Sequence, residues 1–428
     1  MIACEGPALE PAEAARRVAG APGACWLAGP DRDEDTIARD VVAAAPVRVV
    51  RGESVRELER AWAEARALWP GAPRGLPVAA GWLSYDLGRP FVGLPLRAAD
   101  ATVAPFAPLE FHFYDAVWVR PVGGTATIFA IDDAAARRLS GRLAAPVPPA
   151  AAAAGPLASD HDPAGYLDGA RRVLEYLVAG DVYQVNLARR LSAPFGGSAV
   201  ELAAALRARA PAPLAAFLVS ADGAAALVGN SPERFLALDG QGAVETRPIK
   251  GTRARGATPA ADEAARSALA ASGKDRAEHV MIVDLERNDL GRVCETGSVV
   301  VDGVARVMSL PTVHHLVTTV RGRLRAGVGL AELLAATFPG GSITGAPKRR
   351  AMQIIDELEP AVRGPYTGAT GWLGAAGDLD LAVAIRTALV AGGRISLSVG
   401  GGIVADSTPD GEWAETEVKA AAFARLCG

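Results

Sequence analysis

Apolar and polar positions alternate with two periods along the chain, and the period changes from segment to segment. The stretch SVRELERAWAEARALW reads as a helix with Ser54 as its N-cap. A second helix opens at Asp162-Pro163, and Tyr166, Ala170, Val173 and Leu177 then repeat on one face until Gly180-Asp181 ends it. The following VYQVNLARRL alternates with period two, as do LAAFLVS, AALVGN, RFLALDG and AVETRPI, with Gly and Asp turns between them. A long helix is predicted over 275–293 and a final one from about 411, with strands near ATGWLG, LAVAIRTALVAG and RISLSVGGGIV. Strands and helices interleave without a strict βαβ rhythm or a repeat of fixed period. This predicts an α+β fold with large, mostly antiparallel sheets. The Pro- and Ala-rich stretch 145–163 lacks either period and reads as a linker between an N-terminal region, 1–144, and a second region, 164–428, that holds nearly all the unusual polar clusters.

Composition narrows the function. Lys plus Arg (44) nearly balance Asp plus Glu (48), so charge points to neither a nucleic-acid nor a membrane partner. The four cysteines lie far apart without CxxC spacing, which argues against a zinc site or a disulfide framework. No apolar run reaches eighteen residues, and the N-terminus carries acid early without a basic start and apolar core, so a cytoplasmic protein is expected.

Several clusters could carry chemistry. In GEWAETEVKAAAF, Glu412, Glu415 and Lys419 stand at i, i+3 and i+7 on one helix face, which fits a solvated ion pair or a magnesium site built from hard carboxylate oxygens. Glu278 opens an apolar run, where it suits a helix N-terminus. FPGGSITGAPKRRAMQ fails as a P-loop, because three residues separate Gly341 from Gly345 and the lysine comes three positions later. Gly400–Gly402 end a strand and permit close approach of a ligand, or simply a bulge. Glu233 follows a Ser-Pro turn, exposed or buried as a general acid. His314 and His315 cannot share one face of a strand. Lys250, in ETRPIKGTR, sits beside Gly-Thr turn chemistry, where a lysine normally points into water.

Taken together and in order, GDVYQVNLARR, SPERFL, RPIKGTR, DRAEHVMIVDLERNDLGRV, HHLVTTV, FPGGSITGAPKRRAMQIIDELE, YTGATGW, AIRTALV and GGGIVADSTPDGEWAETEVKA resemble the chorismate-utilising family: the anthranilate synthase large subunit, aminodeoxychorismate synthase component I, and the isochorismate and salicylate synthases. They span about 181–420, and GWLSYDLGR at 81–89 resembles the first two branches. The resemblance implies sheets packed as a sandwich with helices outside. It implies Mg²⁺ held by Glu278 and Glu415, with Glu412 in the second acidic position, against a carboxylate of chorismate. Lys419, Tyr366, Arg386, Thr252 and His315, with backbone groups at Gly400 and Gly402, match positions that hold substrate, and Glu233 matches the general acid for the C4 hydroxyl. Gln184 stands where the isochorismate and salicylate synthases carry a water-activating lysine, and a neutral amide cannot be that base.

Lys250 stands where anthranilate synthases usually read alanine and aminodeoxychorismate synthases read lysine. The implied reaction is amination of chorismate at C4 through a covalent Lys250 intermediate, a transaminase-class step (EC 2.6.1 type) toward 4-aminobenzoate and folate. Ammonia would come from a separate glutamine amidotransferase subunit, since no glutaminase module is legible. Arg247, Arg253 and the metal are candidate causes of a lowered Lys250 pKa. The Leu-Leu-Glu-Ser signature of tryptophan feedback is missing: CWLAGPDRDE stands there, and APAPLAAFL at 210–218 matches the other half of that pocket. The alternatives are an anthranilate synthase large subunit and a non-catalytic chorismate-binding homologue.

Overall fold

Two antiparallel sheets, of twelve and ten strands, carry the fold of this computed structural model, which describes residues 1–28, 39–147, 151, 154–160 and 162–427. Strands from both sides of 145–163 enter both sheets. Cys25–Ala28 pairs with Leu214–Val219 in the larger sheet, and Pro77–Leu83 pairs with Ala369–Gly374 in the smaller. The 145–163 stretch lies partly outside the described residues. Within it, Ala158–Ser159 forms a short strand against Leu191 and Ser192.

Period-two alternation assigns each strand's side chains to two separate cores. Leu27, Leu218 and Leu227 from the larger sheet meet Val78, Ala80 and Trp82 from the smaller, filling the space between the sheets. On the outer face of the larger sheet, Trp26, Phe217 and Val228 pack against helix residues such as Leu139, Leu202 and Phe423. On the outer face of the smaller, Phe111, Leu381 and Val320 pack against Leu58, Val283 and Met352. The result is the expected α+β sandwich with helices outside. Both faces of the central strands are covered, which is why LAAFLV reads as a nearly continuous apolar run. Among the described residues no helix is long and apolar enough to cross a membrane.

The predicted helices are present: Ser54 caps Val55–Ala67 by accepting from the Glu57 amide, and Asp162 caps Pro163–Val178. The long helix runs Gly273–Gly291 and the last Pro409–Ala424. The helix Ala199–Arg209 was not marked by the pattern, because its alanines give little contrast between faces. One reading is corrected. Lys250 lies within a strand, Ile249–Ala254, paired to Val313–Arg323. The Gly-Thr signal is a register shift between Lys250 and Thr252, with Gly251 at φ 72°.

Where the sheets are tightest, glycine is required. Gly371 faces Gly81 across the Ala369–Gly374 and Pro77–Leu83 strands, and a Cβ at Gly371 would collide with the Asp380 carbonyl oxygen and lie 2.9 Å from the Leu381 Cα. Gly371→Ala is therefore expected to lower the free energy of unfolding by about 1–3 kcal/mol, read as a lower urea midpoint at unchanged slope.

Candidate active site

The Lys250 amine is half-buried where three strands converge. A Cβ built on Gly402 would lie 2.9 Å from Lys250 Nζ and 3.0 Å from the Gln184 Cδ. The missing side chain at 402 thus makes the space in which the amine and the amide sit. Gln184 is fully buried, and neither its oxygen nor its nitrogen has a hydrogen-bond partner. An unpartnered buried amide is costly, and here its nitrogen lies 3.1 Å from the point that a Cβ on Gly402 would occupy. Register sets this geometry: the Gln184–Pro194 strand pairs with Arg394–Ile403, with Asn186 opposite Gly402, and Gln184 itself lies opposite Ala346.

Burial lowers the Lys250 pKa, the nearby Lys419 ammonium lowers it further, and Glu278, Glu233 and Glu415 oppose both. The expectation that Arg247 and Arg253 act on the amine is not met by their pairing. Arg247 contacts Glu245 at 2.7 Å and Arg253 contacts Asp275 at 2.8 Å, so their charge is largely spent there. Glu233 is 4 % exposed, and burial raises its pKa; Ser342, Lys250 and the Ile249 amide act against that rise. Burial favours the protonated carboxyl of Glu233 and the neutral amine of Lys250, and the attraction between the two groups opposes both shifts.

Two helices bring acids to the same cleft. On Pro409–Ala424, Glu412 and Glu415 flank Gly401, whose Cβ would stand 2.6 Å from Glu412 Oε2 and 3.6 Å from Glu415 Oε1. Lys419 donates to the Gly400 carbonyl at 2.7 Å and pairs with Glu415 at 2.6 Å. On Gly273–Gly291, Glu278 faces this group, and Lys274 reaches it at 3.9 Å. Burial raises the pKa of both Glu278 and Glu412, with each other's or a neighbour's charge adding to it. Among the described residues, no group of three or more potential ligands converges on one point. The donor set nevertheless fits a hard divalent cation: all three are carboxylates, and Glu412 Oε2 is buried without a partner.

The remaining candidates line the far side. Thr252 Oγ1 is hydrogen-bonded to His315 Nδ1 at 3.0 Å, and His315 Nε2 is buried and unpartnered. Burial brings the His315 pKa down to about 4, so the ring is neutral. His314 points to the opposite face, against Ser309 and Asp262. Arg386 adopts φ 49°, an unfavourable conformation for a side-chain-bearing residue, and its guanidinium is drawn toward Glu233. Tyr366 is buried beside Arg363, which pairs with Glu359 at 2.6 Å and donates to the carbonyls of Asn186 and Ile343. That buried pair pins the tyrosine loop to the Gln184 strand, and Tyr85 of GWLSYDLGR covers the Arg363 guanidinium. The structure therefore brings Lys250, Gln184, Glu233, Glu278, Glu415 and Lys419 into one neighbourhood, while Tyr366 lines a separate hollow with Arg363 and Ala188–Arg190. Sequence reasoning passed over Ser342, Lys274 and Glu286, the last of which lies on the buried stripe of its helix. Of the tryptophan-feedback segment, only Cys25–Ala28 falls within the described residues, and Leu27 and Ala28 line a cavity of about 60 Å³ with Pro213–Ala216.

The chain belongs to the chorismate binding enzyme family, whose sequence profile matches residues 23–425. Two relatives carry a more particular name. Aminodeoxychorismate synthase component 1 of Klebsiella aerogenes is 44% identical over 342 residues, covering 79% of this chain and 74% of that protein. Aminodeoxychorismate synthase of Streptomyces griseus is 47% identical over 289 residues, covering 67% of this chain but only 40% of that longer protein. Among solved structures, anthranilate synthase component I from Streptococcus pneumoniae TIGR4 superposes with a TM-score of 0.77 at 29% identity, over 92% of this chain and 93% of that one.

Proposed function

We propose that this enzyme aminates chorismate at C4, giving 4-amino-4-deoxychorismate with the enolpyruvyl group retained. The observation that carries this reading is the half-buried Lys250 amine, set against Gly402 and Gln184 with the Glu233 carboxyl acting on its charge. A free lysine with pKa near 10.4 is neutral in only about one molecule in a thousand near neutral pH. Burial and Lys419 enlarge that fraction here. Lys250 forms a bond to C2, both ring double bonds move one position along the ring, and the C4–O bond breaks. Glu233 gives its proton to the departing oxygen, which leaves as water. Ammonia then forms the C4–N bond, both double bonds return, and the C2–N bond breaks to restore the lysine. In sum, chorismate and ammonia give the amine and water, with no redox change.

Glu278 and Glu415, with Glu412, would hold Mg²⁺, which when bound neutralises one carboxylate of the dianionic substrate. Arg386 offers its fork to the other carboxylate, while Thr252, His315, Tyr366, Lys419 and the backbone at Gly400 and Gly402 orient the ring. Gln184, lacking any basic function, holds the substrate and does not activate water at C2. The name component 1 among the relatives supports a partner, which we take to be a glutamine amidotransferase supplying ammonia. Formation of anthranilate would use the same fold and the same acids but has no role for an amine at position 250.

Incubation with chorismate, Mg²⁺ and ammonium is expected to give 4-amino-4-deoxychorismate, identified by chromatography and mass. EDTA should stop the reaction and added Mg²⁺ restore it. Anthranilate with an equivalent of pyruvate would overturn the assignment.

A further inference from the structure

The three carboxylates at the cleft are not held alike. Glu278 is paired with Lys274 at 3.9 Å and Glu415 with Lys419 at 2.6 Å, whereas no Lys, Arg or His of the described residues stands within ion-pairing distance of Glu412. Glu412 is 7 % exposed, and its two oxygens have different surroundings. Oε1 accepts a hydrogen bond from the Ser407 hydroxyl at 2.6 Å. Oε2 is buried with no partner and lies 2.6 Å from the point that a Cβ on Gly401 would occupy. A carboxylate oxygen left bare in the interior is costly unless a ligand fills the place beside it. The space over Gly401 that it borders is also bordered by Glu415 Oε1, 3.6 Å from the same point.

Local structure fixes the direction of the Ser407 bond. The strand Arg394–Ile403 carries Gly400–Gly402, and the helix Pro409–Ala424 carries the two acids. Ser407 closes the short loop between them. Its amide donates to the Val404 carbonyl at 2.9 Å, and its hydroxyl oxygen accepts from the Val404 amide at 3.1 Å. The hydroxyl proton is then left for Glu412 Oε1, which as an ionised carboxylate can only accept. The helix does not need this bond for its own start: Thr408 is the N-cap, and its side chain accepts from the Gly411 amide. Ser407 is itself 8 % exposed, so water does not compete freely for its proton.

We propose that Ser407 is a positioning residue for the cation site: by holding Glu412 Oε1 it turns Oε2 toward the space over Gly401. The proposal rests on the reading of these acids as the Mg²⁺ ligands. A carboxylate free to rotate must be ordered when an ion binds, and a hydrogen bond to its other oxygen removes that cost beforehand. Loss of such outer bonds at metal sites commonly weakens metal binding by about 10–100-fold. Through the Val404 amide, the same hydroxyl ties the acid-bearing helix to the glycine strand, so the aim of Glu412 follows the position of Gly400–Gly402.

Mn²⁺ binding tests this without turnover, read as loss of the free-ion electron paramagnetic resonance signal with chorismate present and ammonium absent. Ser407→Ala is expected to bind Mn²⁺ about tenfold more weakly than the wild type. Ser407→Thr, which keeps the hydroxyl, should recover most of that loss. A serine that only closes the loop would, on replacement by alanine, lower the melting temperature and leave Mn²⁺ affinity within about twofold of wild type, and that result overturns the proposal. If the alanine variant does not fold, Ser407→Cys, which offers only a weak donor, takes its place; weakened Mn²⁺ binding there supports the proposal and unchanged binding overturns it. A wild type that takes up no Mn²⁺ defeats the assignment of the acids as ligands and this proposal with it. One that takes up Mn²⁺ but yields no 4-amino-4-deoxychorismate defeats the amination alone, and the comparison of variants still decides the role of Ser407.

Discussion

Lys250→Ala is expected to remove amination by on the order of 10³-fold or more, equivalent to about 4 kcal/mol of transition-state stabilisation. The half-buried amine sits where Gly402 leaves room, beside the Gln184 amide. Lys419, whose charge acts on it, is committed to the Gly400 carbonyl and Glu415. Intact-mass measurement with chorismate and without ammonia should show an adduct on the wild type and none on the variant. High ammonium should recover only a small rate by direct addition. The pH dependence gives a second reading. The nucleophile is the neutral amine, so adduct formation rises with pH and levels off at the pKa of Lys250 in the folded protein. Burial and Lys419 place that inflection below 10.5. An inflection at the free-lysine value, or a variant that still forms the adduct, would remove Lys250 from the mechanism.

The elements that could be read from sequence are those whose signal is local. Ser54 and Asp162 announce their helices because capping is a contact over two or three residues. Glu412, Glu415 and Lys419 share a face because helical spacing alone puts them there, and the structure finds them around Gly401 and Gly400. Lys250 failed as a local reading. Gly-Thr marks a turn in isolation, whereas pairing with the Val313–Arg323 strand turns it into a bulge that leaves the lysine half-buried. Nor could local pattern bring Gln184 to Gly402, which depends on the register of strands more than two hundred residues apart. The family resemblance supplied what local pattern could not, naming these positions without saying what sets their chemistry. That chemistry comes from neighbours. Lys419 replaces the two arginines expected beside Lys250, and Ser342 joins Glu233. Glu286 was legible in principle: an acid in register with His279, Ile282 and Leu290 breaks an apolar stripe, and a buried acid requires a hydrogen bond, a partner or a proton.

Glu233→Gln should cut kcat by about 10²–10⁴-fold while changing KM for chorismate only slightly, the range associated with loss of a positioned general acid. The substitution preserves shape, so Ser342 and the Ile249 amide keep a neighbour of similar size. It removes the one proton that can reach the departing oxygen. Hydroxide is a poor leaving group, and without that proton the C4–O bond must break toward a charge that the buried cleft cannot solvate. The lost rate should fall on adduct formation, so single-turnover mass measurements would show adduct accumulating slowly and not failing to discharge. The alkaline limb that reports the acid's ionisation should vanish with it, because burial holds Glu233 protonated above the ordinary carboxylate range in the wild type. A variant with kcat within about threefold of wild type would mean that another group protonates the oxygen. Ser342 and Arg386 would then be the first to examine, because both already face the Glu233 carboxyl.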